Sequence, residues 1–133
     1  MSQSDPAVLI ETPASGEYLA VVRAAATGLA AGLDFTYEQI DDLRIAVDEA
    51  CAQLLARARE VTAGAGTMRV SYAIEDAVLI VEVAVGLGGD GPPAPLPRDT
   101  FSWKILRALT DQVEERVDDG EVRLCFRKRG GAR

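Results

Sequence analysis

The order of periodicities along the chain predicts an α+β fold, a two-layer sandwich with helices on one face of a mainly antiparallel sheet. Three observations carry it. Two amphipathic helical patterns follow one another in the first half, the later apolar runs come in pairs joined by tight turns, and a short helical pattern separates the pairs. With 133 residues, 48% hydrophobic and 26% charged, the chain has the size and balance of one soluble domain, and residues 1–133 are read as such.

Residues 7–10, Ala-Val-Leu-Ile, stop short of Pro13 and read as an edge strand. Between residues 15 and 33, Leu19, Val22, Ala26, Leu29 and Leu33 recur at threes and fours, which predicts an amphipathic helix closing near Gly32. A second, longer helix follows. Thr36 caps it, Gln39 completes a capping box, and Ile40, Leu43, Val47, Ala50 and Leu54 form its buried stripe. Gly64-Ala65-Gly66 breaks the chain; Met68, Val70 and Tyr72 then alternate with polar residues, and Glu75-Asp76 turns into the apolar run 78–85 to make a hairpin. Residues 86–97 hold four glycines and four prolines and read as a loop. Thr100 or Asp99 caps a short helix through Ile105, Leu106 and Leu109. Residues 113–117 pair with 122–126 across Asp118-Asp119-Gly120, and the basic tail 127–133 reads as frayed.

Composition excludes several chemistries. The chain has no histidine, which removes Ser-His-Asp and Cys-His catalysis, His-ligated zinc and an imidazole base. Its net charge of −7 opposes a phosphate-tracking surface, so no direct nucleic-acid partner is expected. The longest apolar run, residues 77–85, is broken by Glu82 and far shorter than the roughly 20 residues that span a bilayer. No signal peptide follows Met1, so a cytoplasmic protein that makes no membrane contact is expected. Cys51 and Cys125, each among aliphatic residues, read as buried free thiols.

Residues 86–91 match the letters of a dinucleotide-binding glycine loop, but prolines follow where a helix should open, so a loop is the better reading. The second helix is more informative. Glu49 and Gln53 stand four apart on one face, beside the small residues Ala46 and Ala50 that would let a ligand approach the backbone. Spacing alone also fits a solvated face. Residues 34–49 carry six acids against Arg44, and residues 123–133 carry five bases and no acid; each cluster is either solvated surface or a docking surface.

Glu17-Tyr18-Leu19-Ala20-Val21-Val22-Arg23, then Phe35-Thr36-Tyr37-Glu38-Gln39-Ile40-Asp41-Asp42-Leu43-Arg44-Ile45-Ala46-Val47-Asp48-Glu49-Ala50-Cys51 without a gap, resemble the RsbW-type anti-sigma factors of bacteria. These are serine-protein kinases on the GHKL (Bergerat) ATPase fold. The likeness continues through the hairpin to Leu109-Thr110-Asp111-Gln112-Val113 and covers most of the chain. It implies ATP and Mg2+ as cofactors, and Glu49 as the base toward a substrate serine. The family's magnesium-binding asparagine falls on Gln53, one methylene longer, and the chain has no asparagine to replace it. The aspartate that reads adenine falls on Val85 or Gly86; of that motif only the glycines, Gly86 and Gly88, remain as cofactor-binding positions. The glycine turn that holds the phosphates reads Asp99-Thr100-Phe101-Ser102-Trp103-Lys104.

The resemblance implies a homodimeric anti-sigma factor that sequesters a stress-type sigma factor and is countered by a STAS-type anti-anti-sigma protein. Partner and dimer contacts are expected around Arg23 and Tyr37. Two versions stay open: a binding module with weak or lost ATP binding, which the three departures favour, and an active kinase of the antagonist.

Overall fold

The computed structural model describes residues 5–61, 66–86, 100–118 and 120–131. Strand β1 (Val8–Pro13) lies at a sheet edge, where a proline without an N–H is tolerated. A 3-10 turn (Gly16–Tyr18), capped by the Ser15 hydroxyl accepting from Glu17 N, leads into α1 (Leu19–Ala31). α1 stops at Gly32 as its pattern predicts, yet Gly32 stays right-handed and Asp34, at φ 61°, turns the chain. Aspartate tolerates that region better than most side chains. α2 (Tyr37–Val61) opens with the predicted capping box: Thr36 Oγ1 accepts from Gln39 N at 3.2 Å and Gln39 Oε1 accepts from Thr36 N at 2.9 Å.

β2 (Thr67–Glu75) and β3 (Val78–Gly86) form the first hairpin. Its turn is Asp76-Ala77, one residue later than expected, because Glu75 still pairs with Val78 while Asp76 takes φ 56°. α3 (Phe101–Leu109) precedes the second hairpin, β4 (Gln112–Asp118) and β5 (Glu121–Arg129). The sheet runs β1-β2-β3-β5-β4 with every neighbour antiparallel, so β5 inserts beside β3 and leaves β4 at the far edge.

Alternation along the strands decides which face meets the helices. Met68, Val70 and Tyr72 of β2, Val81, Val83 and Val85 of β3, and Val122, Leu124 and Phe126 of β5 are buried, and they share one core with Leu43, Val47, Ala50 and Leu54 of α2. Tyr72 satisfies its buried hydroxyl by donating to Val22 O of α1 at 2.8 Å.

Two expectations are corrected. Residues 127–129 are strand, not frayed tail: Arg127, Lys128 and Arg129 pair with Ile80, Leu79 and Val78. The inward position after Phe126 is taken by Lys128, whose stem is buried, so the alternation hides the strand's last turn from a hydrophobic pattern. Gly130 N then donates to Ala77 O at 2.9 Å, and Gly131 exchanges two 3.2 Å hydrogen bonds with Gln39. Gly130 lies flat on Phe35, where a Cβ would stand 1.9 Å from the ring. Cys51 is buried and free as expected, but Cys125 is only half-buried, on the sheet face away from the helices. Beyond Gly86, the loop expected over 86–97 lies outside the described residues.

Candidate functional site

α3 packs beside the face of α2 that carries Glu49, leaving Glu49 and Gln53 half-buried. Ser102, in the first turn of α3, donates its hydroxyl to Glu49 Oε2 at 2.6 Å, a short, charge-assisted hydrogen bond. One turn further along α2, Gln53 has its Nε2 buried without a hydrogen-bond partner. Ala46 and Ala50, expected to open the backbone to a ligand, are instead fully buried in the core.

α3 starts with side chains rather than a glycine turn. Thr100 is its N-cap, its hydroxyl accepting from Trp103 N at 3.2 Å, and Trp103 is 3% exposed while Phe101 is 79% exposed. The C-terminal end of α3 is held as well: Lys128 Nζ donates to Leu109 O at 2.7 Å and lies 4.0 Å from Asp42 Oδ2 on α2. A groove of about 420 Å³ beside α3 is lined by Trp103, Arg107, Thr110, Asp111, Gln112 and Val113, and by neither Glu49 nor Gln53.

Of the other positions singled out in the sequence, Gly86 ends β3 opposite Glu121, with open space where its Cβ would be, so nothing there demands glycine. Val85 is fully buried in the core. Gly88 lies outside the described residues. Arg23 Nε stands 3.0 Å from Asp48 Oδ1, tying α1 to α2, whereas Tyr37 is 91% exposed at the start of α2. Eleven residues of helix, about 16 Å, separate Asp48 from Tyr37, so Arg23 and Tyr37 do not form one cluster.

Each charge cluster is paired in part. Asp41, Asp42 and Asp48 face Arg44, Lys128 and Arg23, while Arg123 and Arg127 face Glu121 and Glu75. Both thiols are held protonated. Burial, with Asp48 adding to it, pushes Cys51 up to about 12; burial, then Glu82 and Glu114, pushes Cys125 up to about 11.

The magnesium nucleotide implied by the resemblance finds a poor fit in these residues. Gln53 stands one methylene further out than the asparagine the cation would need; one oxygen of Glu49 is engaged by Ser102; and the amide of Trp103, a natural phosphate donor, is already capped by Thr100. Among the described residues there is no group of three or more acidic or cysteine side chains that could hold a metal. Ser102 and Lys128 were not legible as site residues. The first is 53 positions from Glu49, and only a hydroxyl standing where glycine was expected hints at it.

Comparison with known proteins gives the family and the fold. Residues 12–128 match the family described as the histidine kinase-like ATPase domain. Curated proteins named serine-protein kinase RsbW are similar throughout: that of Bacillus velezensis is 34% identical over 90% of this chain and 84% of its own. That of Halalkalibacterium halodurans is 30% identical over 83% and 75%, and that of Bacillus licheniformis 27% identical over 90% and 84%. A crystal structure of the RsbU and RsbW domains of a Mycobacterium tuberculosis protein shares the fold, with a TM-score of 0.68 at 15% identity. It is matched over 96% of this chain, which spans only 34% of that longer one.

Proposed function

The chain belongs to the histidine kinase-like ATPase domain family, among the RsbW proteins, and on that premise we propose that it is an anti-sigma factor working without nucleotide. It sequesters a stress-type sigma factor in the cytoplasm, as a homodimer, and yields it when a STAS-type anti-anti-sigma protein competes. The observation that supports nucleotide independence is the Ser102 to Glu49 hydrogen bond at 2.6 Å, which ties one oxygen of the carboxylate a kinase would use as its base to the first turn of α3. The long helix α2 supplies the binding scaffold, with Tyr37 standing clear of it and Arg23 fixed by Asp48. Exchange between two protein partners then follows their concentrations and relative affinities.

Titration with Mg-ATP, followed by Trp103 fluorescence and by calorimetry, tests this. Neither heat nor quench up to millimolar ATP is expected, and saturable micromolar binding would overturn the nucleotide-free reading. One observation favours a second reading, an active serine-protein kinase: the group that Glu49 holds at hydrogen-bond distance is itself a serine hydroxyl. Phosphate transfer from ATP to a serine of the antagonist, lost in Glu49→Ala, would establish it.

A further inference from the structure

α3 and α2 are linked at two points with matched spacing. Ser102 and Leu109 are seven residues apart on α3; Glu49 and Asp42 are seven apart on α2, about 10 Å on either helix. Ser102 meets Glu49, and Lys128 bridges Leu109 O to Asp42, so the two helices run antiparallel with polar contacts at both ends of the shared stretch. Between them Trp103 and Leu106 bury the apolar face of α3. The Lys128 end is built for holding, because a cation is favoured at a helix C-terminus. The Glu49 end has the same logic: a carboxylate stands at the first turn of α3, where the backbone dipole favours negative charge.

We infer that Glu49 serves in this chain as the acceptor half of an α2–α3 joint, with Ser102 as the donor, and that Ser102 and Glu49 together position α3. The joint decides which residues of the first turn reach solvent: Ser102 and Trp103 turn toward α2 and the core, and Phe101 is presented outward. This inference rests on the nucleotide-free reading and assigns a new task to the residue that reading leaves without one.

An acceptor and a base respond differently to substitution. Glutamine keeps an oxygen that accepts from Ser102 but takes up no proton from a hydroxyl, so Glu49→Gln preserves a joint and destroys a base. The experiment is a double-mutant cycle by urea denaturation on the whole chain, with Glu49→Ala, Ser102→Ala and the pair, alongside Glu49→Gln. Each single alanine variant is expected to lower the folding equilibrium constant by about tenfold, the low end for a hydrogen bond to a charged group. The double variant should lose no more than the larger single loss, and Glu49→Gln should stay within about threefold of the parent. Trp103 emission should shift to longer wavelength, and amide exchange should quicken within Phe101–Leu109, in both alanine variants but not in Glu49→Gln.

Strictly additive losses, an unchanged or increased stability in Glu49→Ala, or equal disturbance by Glu49→Gln and Glu49→Ala would each overturn the joint. The Mg-ATP titration reports separately. Coupling between the two residues in a protein that also binds Mg-ATP would uphold the joint while removing the nucleotide-free reading.

Discussion

Cys51 shows how one buried residue sets a limit on the whole molecule. It is fully buried on α2, its thiol raised from an ordinary value of 9.0 to about 12 by desolvation, with Asp48 adding to the rise. Between those two values the unfolded chain gives up the proton and the folded chain keeps it, so the unfolded state binds fewer protons and stability falls as pH rises. The slope for one such thiol is on the order of 1.4 kcal/mol per pH unit. Tyr72, also raised by burial, adds to the same alkaline weakness. Urea denaturation at pH 8 and pH 10.5 should therefore give a clear loss of stability for the parent, and a smaller loss for Cys51→Ala. Equal losses would show that the thiol does not set the alkaline limb. Below pH 9 the protonated thiol is also a poor nucleophile, which argues against an oxidation-sensing role for Cys51.

At the level of elements, the sequence was readable wherever a local rule acts alone. The capping box of Thr36 and Gln39, the stripe from Leu43 to Leu54, and the alternation of Met68, Val70 and Tyr72 all sit where periodicity puts them. It was unreadable where two distant segments share a task. Gln39 looked like a cap alone, yet it also accepts from Gly131 N and donates to Gly131 O, locking the end of the chain to the start of α2. Lys128 looked like part of a loose basic tail, and in the fold it anchors α3 from the inward side of β5. The two members of the capping box therefore differ in consequence. Thr36→Ala should cost about 1 kcal/mol, the usual worth of an N-cap. Gln39→Ala should cost more, and it alone should speed amide exchange at Gly130 and Gly131. Equal costs, or exchange at the chain end quickened by both variants, would mean that the link to Gly131 carries no stability.

For the whole molecule, the fold and family were legible because the match runs nearly end to end, whereas the site was legible only in part, since chemistry depends on which helices meet. Glu49 could be placed on its helix from spacing and resemblance, but its partner Ser102 arrives from another element, and no pattern in α2 announces it. The partner surface depends on the same distinction. Arg23 pairs with Asp48 with both side chains partly exposed, while Tyr37 offers an almost fully exposed ring beside the exposed acids Glu38 and Asp41. An exposed aromatic ringed by charge is the usual form of a binding anchor, and the surrounding charge governs how fast a partner arrives. If the start of α2 is where the sigma factor docks, Tyr37→Ala should weaken the complex at least tenfold, mainly through faster dissociation. Glu38→Lys should instead slow association, and association by the parent should slow as salt is raised. Surface plasmon resonance separates the two rates. Arg23→Ala supplies the contrast: it breaks the link between α1 and α2, so any effect on binding should come with a loss of stability that Tyr37→Ala does not share. Unchanged affinity in Tyr37→Ala would move the docking surface away from this end of α2.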